Sequence, residues 1–252
     1  MNQPPIIHMD NICKMFSHVR ALHKANFYTY SGEVTALVGD NGSGKSTLMK
    51  ILCGVLKPDN GRIVIDGREY SALSPHQAIQ EGVTTVYQDL ALDNLRDCTG
   101  NIFLGRELTK YGFWLDKKAM VRETRDLLYN LNVKIEDITV PVGYLSGGQR
   151  QGIAIARAMF KKSRIIIFDE PTAAMGLRET ARIMELIRSL KEQGITVIMI
   201  SHNLFQVFDV ADRISIMKSG QCIGSVLAKD SSPQQINDMI VARGEIERSD
   251  YE

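Results

Sequence analysis

The segment GDNGSGKST, Gly39 to Thr47, has the residue types and the spacing that hold phosphate groups. Gly39, Gly42 and Gly44 permit a tight curl, so that backbone N–H groups of the loop through Asp40, Asn41 and Ser43 can converge on phosphate oxygens. A helix beginning near Lys45 adds the positive end of its dipole. Lys45 can reach β and γ phosphates, and the Ser46 hydroxyl can ligate Mg²⁺. A second pair of groups ends the apolar run IIIFDE. Asp169 would hold the metal directly or through water. Glu170 follows it, and because successive residues of an extended chain face opposite sides, it is expected to point elsewhere and to polarise an attacking water. Gln88 in TTVYQDL offers an uncharged oxygen ligand at the end of another apolar run. His202 in VIMISHN ends a buried-looking strand on the side of Asp169, where a lone histidine more often makes a structural hydrogen bond than senses a γ-phosphate. A second glycine-rich loop, YLSGGQRQGIAIARA from Tyr144 to Ala158, also runs into helical sequence and raises the question of which phosphate it would serve.

The elements around these groups follow from periodicity. From Ile6 to about Val38, short apolar runs alternate with polar residues and predict strands, and GRIVIDGREY predicts a hairpin turning at Asp66-Gly67. The order around Lys45 is strand, glycine loop, helix, with Leu48, Ile51 and Leu52 on one helical face and Gly54 as the stop. From about Asp89 to Ala158 the texture becomes helical: Met120, Thr124, Leu127, Leu128 and Leu131 fall at helical spacing. After it, strand and helix alternate through RIIIFDE, RETARIMELIRSLKEQ, ITVIMISH, LFQVFDVA and RISIMK, which implies a largely parallel sheet covered by helices. The expected organisation is one domain over residues 1–252, with a core at 1–88 and 159–252 and a helical lobe inserted at about 89–158. The acidic tail GEIERSDYE reads as a solvated end.

Composition sets outer bounds. With 252 residues, 44% hydrophobic and 23% charged, the chain is neither disordered nor fibrous. Lys and Arg total 30 against 29 Asp and Glu, so net charge gives no general case for nucleic acid or an acidic membrane surface, though a local patch is compatible with it. Cys13, Cys53, Cys98 and Cys222 are scattered and read as reduced thiols of a cytosolic protein. The longest apolar runs fall far short of the roughly 20 residues that span a bilayer, and the N-terminus lacks a signal-peptide pattern.

Taken in order, GDNGSGKST, Gln88, LSGGQ at Leu145 to Gln149, IIIFDE and His202 resemble the motifs of the ATP-binding cassette ATPases, over essentially the whole chain. The resemblance implies an α/β fold: a P-loop NTPase core with a mostly parallel sheet, an N-terminal antiparallel β subdomain and an inserted helical subdomain. It implies ATP and Mg²⁺ as ligands, with the metal held by Ser46, Gln88 and Asp169. Lys45 and the metal would spread the charge developing on the γ-phosphate, while Glu170 orients the water and His202 holds the phosphate. It places Phe16 where an aromatic stacks on adenine. It also answers the second loop: in the family two cassettes pair head to tail, so Ser146, Gly147, Gly148 and Gln149 would cap ATP on the partner's P-loop.

Two departures matter. Many family members read S-A-L-D after IIIFDE, whereas PTAAMGLRE puts Gly176 where that aspartate would be. This variant, and NIFLGRE at Asn101 to Glu107, look like the monosaccharide-importing branch, which often fuses two cassettes in one chain. One cassette with all its motifs intact is expected to work as a homodimer, without the regulatory domain that some sugar-importer ATPases carry. The expected partners are membrane permease subunits, contacted near Asp89 to Gly105, and through them a substrate-binding protein. The expected place is peripheral, at the cytoplasmic face of a bacterial inner membrane. The rival reading is a soluble cassette ATPase acting on DNA or ribosomes. Repair-type members carry long coiled-coil insertions and translation-type members carry two cassettes with basic linkers, and this chain has neither. A non-hydrolysing scaffold is disfavoured by the presence of both Glu170 and His202.

Overall fold

A computed structural model describes residues 4–87, 89–173 and 175–241. In chain order the elements are β1 (Ile7–Phe16), β2 (Val19–Thr29), β3 (Val34–Val38), α1 (Lys45–Leu52), β4 (Asn60–Ile65), β5 (Arg68–Tyr70), α2 (Pro75–Gln80) and β6 (Val83–Val86). Then come α3 (Cys98–Ile102), β7 (Thr109–Lys110), β8 (Trp114–Leu115), α4 (Lys117–Asn130) and α5 (Gly147–Phe160). The last third is β9 (Ile165–Asp169), α6 (Leu177–Glu192), β10 (Thr196–Ile200), α7 (Leu204–Val210), β11 (Arg213–Lys218), β12 (Gln221–Leu227) and α8 (Pro233–Val241).

The principal sheet has six strands in the order β12-β11-β3-β10-β9-β6. Strands β11, β3, β10, β9 and β6 run parallel, and β12 closes the edge antiparallel to β11. The central strands are buried on both faces, and their alternate side chains feed two separate cores. Val34, Ala36, Val38, Ile166, Phe168, Val197 and Met199 pack with the helices of one layer. Leu37, Ile165, Ile167, Ile198 and Ile200 pack instead with Leu48, Ile51 and Leu52 of α1 and with the smaller sheet. That sheet is antiparallel, in the order β2-β1-β4-β5. Its β4–β5 turn has Asp66 at φ 50° and Gly67 at φ 78°, the pair of positive angles that a type I′ turn requires.

Helix α4 buries Met120, Thr124 and Leu128, as its spacing predicts, and Asp116 caps it by accepting from the Ala119 N–H. Helix α5 packs on α3 and α4 and also on β6 and α6, so the expected boundary near residue 158 falls inside one continuous helix. The periodicity reading passes over five elements: α2, the two strands of the β7–β8 hairpin, β12 and α8. Among the described residues no helix is long and apolar enough to cross a membrane.

Candidate nucleotide site

The first glycine loop leaves the C-terminal end of β3 at the centre of the parallel sheet, where the strand ends open towards ligands. Two of its glycines are demanded by the chain itself. Gly39 sits at φ 145°, and a Cβ there would lie 2.1 Å from the Met217 carbonyl oxygen. Gly44 sits at φ 103°, with Ala21 O only 2.7 Å from the same hypothetical atom. No L side chain fits either position. The resulting curl wraps Lys45, whose Nζ donates to Gly39 O at 2.8 Å and Asp40 O at 2.7 Å. Burial pushes the Lys45 ammonium below its ordinary pKa, opposed by the charges of Glu170, Asp40 and Asp169. Ser46 follows in the first turn of α1 with an exposed side chain.

Asp169 is the last residue of β9 and pairs with Ile200 at the end of β10, so both strands deliver their C-terminal residues to the same edge. Burial and the neighbouring Glu170 charge push the Asp169 carboxyl above the usual carboxylate range, with Lys50 and Lys45 opposing. A half-buried carboxylate of this kind gains most from a cation beside it. Glu170 does diverge from Asp169, but the pleat is not the reason. The strand has ended, and Glu170 adopts φ 50°, a left-handed conformation fixed by donation from its N–H to Ile200 O at 3.1 Å. That turn brings its Oε1 to 3.2 Å from His202 Nδ1. Glu170 and His202 then share a cavity of about 310 Å³ with Gly39, Asp40, Asn41, Leu204, Asn237 and Ile240. A carboxylate, a hydrogen-bonded imidazole and the first glycine loop thus face one space.

Other sequence-predicted residues stand apart from that cavity. Phe16 ends β1 with its ring 43% exposed and Lys14 Nζ 5.7 Å from its centroid, as a surface ring able to stack on a base. Gln88 lies outside the described residues. The second glycine loop does not line the cavity either. Ser146 is instead the N-cap of α5, where its Oγ accepts from Gln149 N at 3.3 Å and its N–H donates to Gln149 Oε1 at 3.0 Å. Gln149 Nε2 further donates to Lys134 O at 2.9 Å. This capping box uses the hydroxyl and leaves the glycine N–H groups of the first turn at a positive helix end.

The ABC transporter family matches this sequence over residues 22–173, well over half the chain. The chain belongs to that family. Two curated relatives indicate where in the ABC transporters it falls. A fructose import ATP-binding protein of Rhizobium meliloti is 43% identical over 91% of this chain and 91% of its own. A xylose/arabinose import ATP-binding protein of Sulfolobus acidocaldarius is 41% identical over 94% of each. Among solved structures, a nucleotide-free ATP-binding cassette from an ABC transporter superposes with a TM-score of 0.81 at 27% identity, over 92% of this chain and 97% of that one. A dimeric post-hydrolysis cassette bound to ADP and Pi gives a TM-score of 0.75 at 25% identity, over 88% and 98%. The P-loop α/β fold read from the motifs is therefore the fold of this ABC ATPase.

Several residues of the cassette's site escaped the sequence reading. Asn237 and Ile240 reach the cavity from α8, and a signal for that helix was present. In SSPQQ, Ser232 and Gln235 exchange Ser232 N→Oε1 and Gln235 N→Oγ bonds of 2.9 and 3.3 Å around Pro233, a capping box of the same form as Ser146 with Gln149. Arg157 on α5 donates to Leu90 O at 2.8 Å and Ala91 O at 2.9 Å, and Arg150 donates to Asn94 Oδ1 at 3.1 Å. The helix that begins at the second glycine loop is thereby fastened to the stretch that follows Gln88.

Proposed function

We propose that this chain is the ATP-hydrolysing subunit of a monosaccharide importer, working as a head-to-tail pair of copies docked on permease subunits at the cytoplasmic face of the membrane. The observation that carries the reading is identity above 40% to fructose and xylose/arabinose import ATP-binding proteins over more than nine-tenths of the chain. It is supported by the convergence of the P-loop, Glu170 and His202 on one cavity.

In the proposed mechanism Lys45 releases part of its hold on the Gly39 and Asp40 carbonyls and donates to the β and γ phosphates of ATP. Mg²⁺ would suit the donors these residues offer, the Asp169 carboxylate, whose ionisation burial opposes, and the Ser46 hydroxyl, with the Gln88 side-chain oxygen as the third expected ligand. Held there, the metal would supply positive charge against the γ-phosphate. Glu170 accepts a proton from the attacking water, and His202, hydrogen-bonded to Glu170, orients it and steadies the phosphate. Phe16 stacks on the adenine. Ser146, Gly147, Gly148 and Gln149 contribute to the other copy's site, where the N-terminal end of α5 meets the γ-phosphate. Hydrolysis removes the charge shared by the two loops, so the pair opens and nucleotide chemistry becomes subunit motion. Gly176 supplies no side chain where many cassettes place an aspartate, so coupling between the two sites here runs without that carboxylate.

The test is capture from native membranes on the tagged chain, followed by reconstitution. Recovery of a multi-span permease, with ATP-dependent uptake of a labelled monosaccharide, is the expected result. Recovery of ribosomes or DNA in its place would overturn the importer reading in favour of a soluble cassette ATPase.

A further inference from the structure

The β7–β8 hairpin carries a cluster that neither the nucleotide site nor the core uses. Its strands are only two residues long, Thr109–Lys110 and Trp114–Leu115, and its turn is Tyr111-Gly112-Phe113. Tyr111 is 90% exposed, Phe113 73%, Trp114 66% and Leu115 52%. Single exposed apolar residues need no explanation, whereas four large ones within five positions form a patch. The Phe113 and Trp114 rings lie 5.7 Å apart, centroid to centroid, against each other rather than under the chain. Lys110 Nζ pairs with Asp116 at 3.3 Å at the base of the hairpin, so the acid nearest the aromatic tip is neutralised.

Helix α4 follows directly, with its cations on one exposed flank. Lys117, Lys118, Arg122 and Arg125 line a shallow open depression of about 370 Å³ together with Val121 and a single acid, Asp126. Glu123 is the other exposed acid of the helix. In a chain whose net charge is only +1, this is a local concentration of positive charge that follows the aromatic hairpin directly in sequence.

We infer that the 109–115 hairpin and the basic flank of α4 form a direct docking surface for anionic phospholipid. The chemistry is complementary on both counts. Tyr and Trp rings favour the boundary between headgroups and acyl chains, and Lys and Arg are drawn to an anionic leaflet. The inference rests on the reading that the chain works at a membrane. It adds that the cassette touches the bilayer itself, outside the Asp89–Gly105 region expected to meet a permease.

The purified full chain tests this with two kinds of vesicle, phosphatidylcholine alone and phosphatidylcholine with phosphatidylglycerol. Trp114 is the only tryptophan of the chain and serves as the probe. With phosphatidylglycerol at low salt the chain is expected to float with the vesicles and the Trp114 emission to shift to the blue. Both effects fade at high salt or on phosphatidylcholine alone. Lys117→Glu with Lys118→Glu, and separately Phe113→Ser, lower vesicle partition about tenfold or more while basal ATP hydrolysis is unchanged. Absence of flotation and of any Trp114 shift in the unmodified chain would overturn the inference. So would variants that bind vesicles as before but lose capture of a permease, which would make the hairpin a protein-docking element. Permease capture by the unmodified chain is scored in parallel and bears on the importer reading alone, so the two readings fail separately.

Discussion

The two glycine loops look alike as strings and differ as structures. In the first, Gly39 and Gly44 hold positive φ angles and stand against backbone that would overlap any Cβ, so the protein's own folding demands glycine. In the second, a Cβ on Gly147 would meet nothing nearer than 3.8 Å and one on Gly148 nothing within 4 Å, and neither residue is among those with positive φ. Both lie in the first turn of α5, where alanine would serve the helix better by about 0.5–1 kcal/mol. Nothing among the described residues asks for those glycines. We read a loop whose glycines are internally unnecessary as shaped for something that approaches from outside, here the γ-phosphate on a second copy proposed above.

The largest effect expected is in hydrolysis. Lys45→Ala, and separately Gly148→Asp, each lower ATP turnover by about 10²-fold or more. Mixed together, the two inactive chains recover activity, because one site of the mixed pair has an intact Lys45 on one copy and an intact Gly148 on the other. A mixture as dead as its components would break the comparison. Glu170→Gln removes the base and lowers turnover by about 10²–10⁴-fold while ATP is still bound. Size exclusion at millimolar ATP should then show a stable dimer, and a monomer would count against the sandwich.

Alanine substitutions separate the loops in stability. Gly39→Ala is expected to cost about 1–3 kcal/mol in urea unfolding, through a strained φ and the clash with Met217 O. Gly148→Ala leaves the midpoint unchanged or raises it while ATP hydrolysis falls about tenfold. Equal destabilisation by both would show that the second loop is also built for its own fold. Arg157→Ala should cost about 1–2 kcal/mol by removing charged donors from the Leu90 and Ala91 carbonyls. It should also weaken stimulation of hydrolysis by a captured permease more than basal turnover.

The smallest effect on stability concerns Asp169. Its folded carboxyl titrates above the ordinary range, so the folded chain binds a proton more readily than the unfolded one, and stability falls as pH rises through that window. Asp169→Asn is therefore expected to raise the melting temperature at neutral pH, with a gain that shrinks as the pH drops towards ordinary carboxylate values, while Mg²⁺-dependent hydrolysis is lost. A melting temperature lowered at pH 7 would mean that the carboxylate is structurally satisfied after all.

Much of the fold was legible because the signals were local. The run IIIF followed by Asp169 declares a buried strand ending in an acid, and Met120, Thr124 and Leu128 mark one face of α4. What was not legible depends on short or interrupted pattern. β7 and β8 have two residues each, below any window in which alternation can be counted. β12 reads QCIGSVL, broken by Gly224, and its place at the sheet edge leaves most of it only half-buried, so its period is faint. The direction of Glu170 was reached by the wrong route: alternation presumes that the strand continues, and the backbone turns left-handed one residue after β9 ends. Asn237 is near the phosphate loop only through tertiary packing, and only the Ser232–Gln235 capping pattern hinted that α8 existed.

The left-handed backbone at Glu170 has a consequence for anyone who would engineer the protein. A glutamate at φ 50° stands in a region that glycine or asparagine occupies with less strain, so selection for heat resistance alone would favour replacing it. The variant that survived best in such a screen would be a sturdier cassette without its proposed base. Directed evolution of this chain therefore needs a screen in which ATP turnover, not soluble yield or melting temperature, decides which clones are kept.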